Sequence, residues 1–221
     1  MAEGEPHFQP DCPQHSVRIE RPVLLARTPL TQRVYDSGFG FADRAAMTAH
    51  RGMSWLDAAR WCQDVGMRLP TEAEWEFACR AGSNTAYCFG NEHRADLAGP
   101  LHKRNTLMVG ALPANAFGLL GMHSGPCEWC QDVYADYLDS PVDGSAAEME
   151  SAYLRVIRGG GFGYVSAHRA GAPRARLLPR NPAGAIGQPM TTRLRGSRRR
   201  VVVVVVVLSG RRQRGTRRGT S

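Results

Sequence analysis

Acidic residues are missing from the last third of this chain: residues 151–221 carry sixteen arginines and neither aspartate nor glutamate. Residues 1–150 hold the other twelve basic residues and all twenty acids, a net charge of −8. The overall charge of +8 is therefore an average over two unlike parts. Long apolar runs are missing too. The longest, Val201–Leu208, is eight residues, whereas a membrane-spanning helix needs roughly 20, so no membrane segment is expected. Met1–Cys12 is polar and acidic, without the apolar stretch of an export signal. Six cysteines in 221 residues are too few and too scattered for a disulfide scaffold. A cytoplasmic protein with reduced thiols is the expectation. The seven histidines show no HExxH spacing, which argues against a zinc hydrolase.

What is present is a set of short, well-punctuated elements. The most informative is Arg68-Leu-Pro-Thr-Glu-Ala-Glu-Trp-Glu-Phe-Ala-Cys-Arg-Ala-Gly82. Thr71 predicts a helix N-cap, and Glu74 three residues later completes a capping box. Trp75, Ala78 and Cys79 share one face, the glutamates suit the positive end of the helix dipole, and Gly82 predicts the left-handed stop. Ser54 to Gly66 predicts a second capped helix with Leu56, Ala59 and Cys62 as its buried stripe, flanked by Trp55 and Trp61. Val17–Leu25 and Arg155–Gly160 predict strands, the latter ending in a glycine turn. Asn84–Pro113 is expected as long loops, and Asn105 within it and Asn115 just after it are expected as turn formers.

Several separated stretches occur in the order of a known family. The Gln14–Tyr35 stretch, the Ser54-Trp55 helix, the RLPTEAEWE segment with Cys127-Glu-Trp-Cys-Gln-Asp132, and Arg155-Val-Ile-Arg-Gly-Gly160 closely resemble the formylglycine-generating enzymes, also called sulfatase-modifying factors. The resemblance covers residues 8–187. It implies an α+β fold, a single modified C-type-lectin-like domain with two short helices on small twisted antiparallel sheets and much irregular loop.

Catalytic members of that family resemble copper-dependent oxidases, with two cysteines and a nearby serine in the segment after the RVxRGG strand. Soft thiolates suit Cu(I). Anchored on Arg169, the two cysteine positions fall at Val165 and Ala170, and the serine at Phe162; no cysteine follows Cys130. No catalytic residue is therefore expected, copper least of all. Calcium sites of the family imply Glu128 as an acidic metal ligand. The family's GN-x-W reads Ser124-Gly125-Pro126-Cys127 here, which removes an asparagine oxygen. Cys127-x-x-Cys130 lacks the second ligand pair or βαβ setting of a zinc or redox motif, and is expected to be structural.

The expected ligand-binding face is the 161–180 segment, through Phe162, Tyr164, His168, Arg169, Arg174 and Arg176. These residue types dominate interface energetics. In the variable proteins of diversity-generating retroelements, the same face looks like a mutable binding surface. Equally open is that Arg169 and Arg174 are buried structural arginines. The expected partner is an unidentified protein or small-molecule ligand. The competing reading is an oxidase acting on a protein cysteine.

Family members end in a strand that closes the sheet; here the pattern stops near Gly187. Residues 188–221, with the consecutive Arg198–Arg200, seven valines and an end dominated by Arg, Gly, Thr and Ser, predict a disordered basic tail that binds nucleic acid non-specifically. A late frame slip would give such a composition, leaving no intact function. The valine run also has the β-propensity to pair with a sheet edge.

Overall fold

The computed structural model describes residues 15–37, 53–99, 109–123, 127–135, 137–149, 154–159, 175–177, 201–202 and 206–207. In chain order the elements are β1 (Leu24–Leu25), α1 (Gln32–Ser37), α2 (Trp55–Asp64), β2 (Met67–Arg68), α3 (Glu72–Arg80) and α4 (Ala95–Ala98). They continue with β3 (Cys127–Val133), a 3-10 turn (Tyr137–Asp139), β4 (Arg155–Arg158), β5 (Ala175–Leu177), β6 (Val201–Val202) and β7 (Val206–Val207). One sheet has the order β1-β7-β2, the other β5-β4-β3-β6. This is the α+β arrangement the sequence predicts.

The β3–β4 pair is the spine, and it is covered on both faces. Side chains alternate along a strand. Trp129 and Ile157 therefore face α2, where they pack with Leu30, Met53, Ala58, Cys62 and Leu69. Cys130 and Val156 face α3 and pack with Trp75, Ala78, Cys79, Leu119 and Met122. Two indoles pin the α2 side: Trp129 Nε1 donates to the Met53 carbonyl at 3.0 Å and Trp55 Nε1 to that of Cys130 at 2.8 Å. Arg155 lies over the Trp55 ring, 3.9 Å from its centroid.

Both predicted helices form at their predicted starts. Thr71 Oγ1 accepts from Glu74 N, and the Glu74 carboxylate accepts from Thr71 N at 2.8 Å, a complete capping box. Ser54 Oγ accepts from Asp57 N. Two details differ. The left-handed residue ending α3 is Ala81, with φ of 48°, one position before Gly82, which is itself at φ 89°. The buried stripe of α2 is Ala58 and Cys62, and Leu56 is exposed. The closely packed indoles leave room for the small Ala58 at the contact, which rotates Leu56 outward. The strand expected over 17–25 is reduced to Leu24–Leu25.

Four residues of the valine run are placed in strands. Val206–Val207 pairs antiparallel with both β1 and β2, and Val201–Val202 pairs parallel with β3. Uncharged β-branched residues suit open strand edges, and among the described residues no other strand pairs with these edges. A chain ending at residue 200 should therefore unfold at a lower temperature than the full chain, by about 2–4 °C for each kcal/mol lost. Coincident melting curves would show that the valine strands carry no stability.

Candidate functional site

Helix α3 spends its polar side chains on the rest of the fold. Arg68 and Glu74 form a bidentate pair with both contacts at 2.7 Å. Thr71 Oγ1 donates to the Gly144 carbonyl at 3.0 Å. Asp132 of β3 accepts from the backbone N–H groups of Glu72 (2.7 Å) and Ala147 (2.9 Å). Burial pushes the Asp132 carboxyl up to about 6 against the pull of those two donors.

At the end of β4 stands Arg158, fully buried. Its Nε lies 2.9 Å from Glu72 Oε1. One terminal nitrogen donates to Glu76 Oε2 at 2.6 Å and to the Tyr137 hydroxyl at 2.8 Å. Burial alone would raise the Glu76 carboxyl, but Arg158 and Arg80 together hold it below its ordinary value.

Directly opposite Arg158 in the ladder is Glu128. Its carboxylate accepts from Trp75 Nε1, and burial pushes it up to about 8 despite that donor. The Glu128 carboxyl is enclosed against the Trp75 indole, and residues 124–126 of the adjoining loop lie outside the described residues. Among the described residues no group of three or more His, Cys, Asp or Glu is placed to hold a metal.

Five of the six ligand-binding candidates fall between β4 and β5 in the chain, and the sixth, Arg176, lies in β5 itself. β4 leaves through Gly159 at φ 96°. β5 returns antiparallel, Ile157 opposite Ala175 and Val156 opposite Arg176. Both ends of the segment are thereby anchored on the spine beside Arg158. Phe162, Tyr164, His168, Arg169 and Arg174 fall outside the described residues, as do positions 165 and 170, and Arg176 is placed only by its ladder position. Residues 124–126 and Asn105 also fall outside.

The thiols that are described are spread over the core. Cys127 packs on the α2 side of β3 and Cys130 on the α3 side. The two cysteines of the CxxC therefore point to opposite faces of one strand and cannot share a ligand. Burial pushes the Cys62 thiol up to about 12 and raises those of Cys79, Cys88 and Cys130 as well. A raised thiol is a weaker nucleophile, because the thiolate is the reactive form.

A cleft of about 1350 Å³ runs between the 17–25 stretch and α3, over Arg158 and Tyr137. Its wall includes Leu24, Phe77 and Phe117, all about half exposed; the two phenylalanine rings pack at 5.4 Å. Sequence reasoning passed over this wall, although Phe77, two positions after Trp75, had to point away from the buried stripe. Asn115 is the turn former expected. It accepts from Phe117 N and Leu119 N and donates to the Ala78 carbonyl at the end of α3.

With this geometry in place, comparison with known proteins settles the class. The chain belongs to the sulfatase-modifying factor family: the model for the sulfatase-modifying factor enzyme 1-like domain matches residues 42–188. The formylglycine-generating enzyme of Bos taurus is 30% identical over 155 residues, 61% of this chain and 41% of that protein. That of Thermomonospora curvata is 36% identical over 132 residues, 50% of this chain and 43% of that protein. The serine/threonine-protein kinase pkn1 of Chlamydia caviae is 37% identical over 113 residues, 49% of this chain but 18% of the kinase. The chain thus spans less than half the length of these curated relatives. Among solved structures, PvdO from Pseudomonas aeruginosa has a TM-score of 0.66 at 24% identity, over 92% of this chain and 88% of its own. Treponema denticola variable protein 1 has 0.60 at 19% identity, over 83% and 84%. These two likenesses bear on the fold alone.

The Glu128 environment yields a pH test. A carboxyl whose folded value is raised adds stability that is complete below its unfolded value and is lost as pH rises towards about 8. Glu128→Gln keeps an acceptor for Trp75 but cannot ionise. Its stability relative to wild type should therefore improve between pH 5 and pH 8, by no more than about 1.4 kcal/mol per unit. Asp132 titrates in both proteins and cancels. Urea unfolding of the two at pH 5, 6.5 and 8 makes the comparison, and parallel profiles would contradict a carboxyl held neutral by burial.

Proposed function

We propose that this chain is a binding member of the sulfatase-modifying factor family, contacting a protein or small-molecule ligand through the 161–180 segment without copper oxidase chemistry. One observation carries the reading. The β4–β5 frame that anchors the segment is intact, while the two cysteine positions the family resemblance places within it read Val165 and Ala170. The CxxC offers no replacement on the described geometry, since Cys127 and Cys130 face opposite sides of β3. Copper therefore has no thiolate pair on the family's plan. In place of chemistry the segment carries Phe162, Tyr164, His168, Arg169, Arg174 and Arg176, the residue types that anchor interfaces.

Two likenesses support this direction. The fold is shared with a protein titled a variable protein, and a kinase contains a stretch matching this chain as a small part of a longer whole. Both fit a module whose work is recognition. The arginines beyond residue 188 would add salt-sensitive, sequence-independent attraction to nucleic acid.

The test is direct. The purified chain, given Cu(I) and a peptide carrying a sulfatase-type cysteine, should show neither tight copper binding nor formylglycine product. Copper-dependent turnover above a heat-inactivated control would reverse the assignment in favour of an oxidase.

A further inference from the structure

The strand β7 does an unusual job for two residues. It is the middle strand of its sheet, pairing Val207 with Leu24 and Met67, and Val206 with Leu25 and Arg68. Among the described residues β1 and β2 have no other strand partner. The slot between them is therefore an acceptor for an extended segment, bordered by Leu25, which packs on the α3-side core, and Met67, which packs on the α2-side core.

What fills the slot carries almost no register information. A strand normally knows its register because a one-residue slip sends its apolar side chains to the wrong face. Residues 201–207 are seven identical valines, so a slip leaves the same chemistry at every position. Recognition rests on backbone pairing and on the β-branched, uncharged character of the segment, as in strand addition generally. Any copy of the run satisfies it equally.

Reach and charge favour a second copy as a supplier. Residues 178–200 join β5 to β6, a stretch that spans at most about 75 Å. Arg198–Arg200 and Arg211–Arg212 bracket the valines, and residues 1–150 carry a net −8. The run is thus drawn electrostatically towards the acceptor part of another chain. We propose that the β1–β2 slot is a strand-acceptor site for the valine run of a second copy of this chain. Two copies exchange residues 201–207 into a swapped dimer, each run making in the other copy the pairings it makes at home.

Leu24 and Val207 are ladder partners, and such pairs stand about 4.5–5.5 Å apart at Cα, within disulfide reach. Full-length Leu24→Cys and full-length Val207→Cys would be mixed, oxidised with glutathione disulfide and mapped by peptide mass. The double variant, Leu24→Cys with Val207→Cys, serves as the reference for pairing within one chain. The expected result is a heterodimer linked 24–207, its share rising with protein concentration towards the millimolar range where intramolecular pairing ceases to dominate. A 24–207 link in the double variant but none between the mixed chains overturns the exchange. No 24–207 link in either preparation overturns the β1–β7 pairing, and the proposal with it.

Discussion

The fold turns on a positive charge placed where water cannot reach it. Arg158 ends β4 fully buried, and Glu72 and Glu76 meet it from α3 while Tyr137 meets it from the turn after β3. Removing ions from water costs several kcal/mol each, and the cost is offset only when the geometry satisfies them. That requirement fixes the rotation of α3 about its own axis, since both glutamates must face β4. With α3 so turned, Trp75 faces Glu128, and Glu74 faces away to cap the helix and hold Arg68. The same arginine is the last residue of β4, immediately before Gly159.

Local rules made the helices legible and long-range packing decided the rest. Capping is an affair of four neighbouring residues, so Thr71, Glu74, Ser54 and Asp57 could be read directly. Which face of α2 would be buried depended on Trp129 and Trp55 arriving from elsewhere, and Leu56 gave way to Ala58. The stop of α3 fell on Ala81 because the chain turns back to place Thr85 and Tyr87 beneath Ser83, a closure among side chains that one glycine does not reveal. The valine run could be read as coil or as edge strand, and the choice belonged to unpaired edges in β1, β2 and β3 far away in sequence.

The site was partly legible in the same sense. The absence of cysteine after Cys130 is a fact of the sequence, and the anchoring of the segment between β4 and β5 gives it a place. Glu128 shows what a motif leaves unsaid. Its carboxylate accepts from the Trp75 indole, and burial raises it. Nothing in the neighbouring residues announces that contact, because the indole comes from another element.

The central claim is that the buried ion cluster, and not residue size or hydrophobicity at those positions, holds α3 to the sheet. Chemical denaturation of Arg158→Met, alone and combined with Glu72→Gln and Glu76→Gln, tests it most directly. Removing the arginine alone leaves Glu72 without its cation and Glu76 with Arg80 alone, and should cost about 3–5 kcal/mol, whereas the triple variant, with the charges of the cluster removed together, should recover a large part of that loss. An Arg158→Met protein within a few tenths of a kcal/mol of wild type, or a triple variant less stable than the single one, would contradict the account.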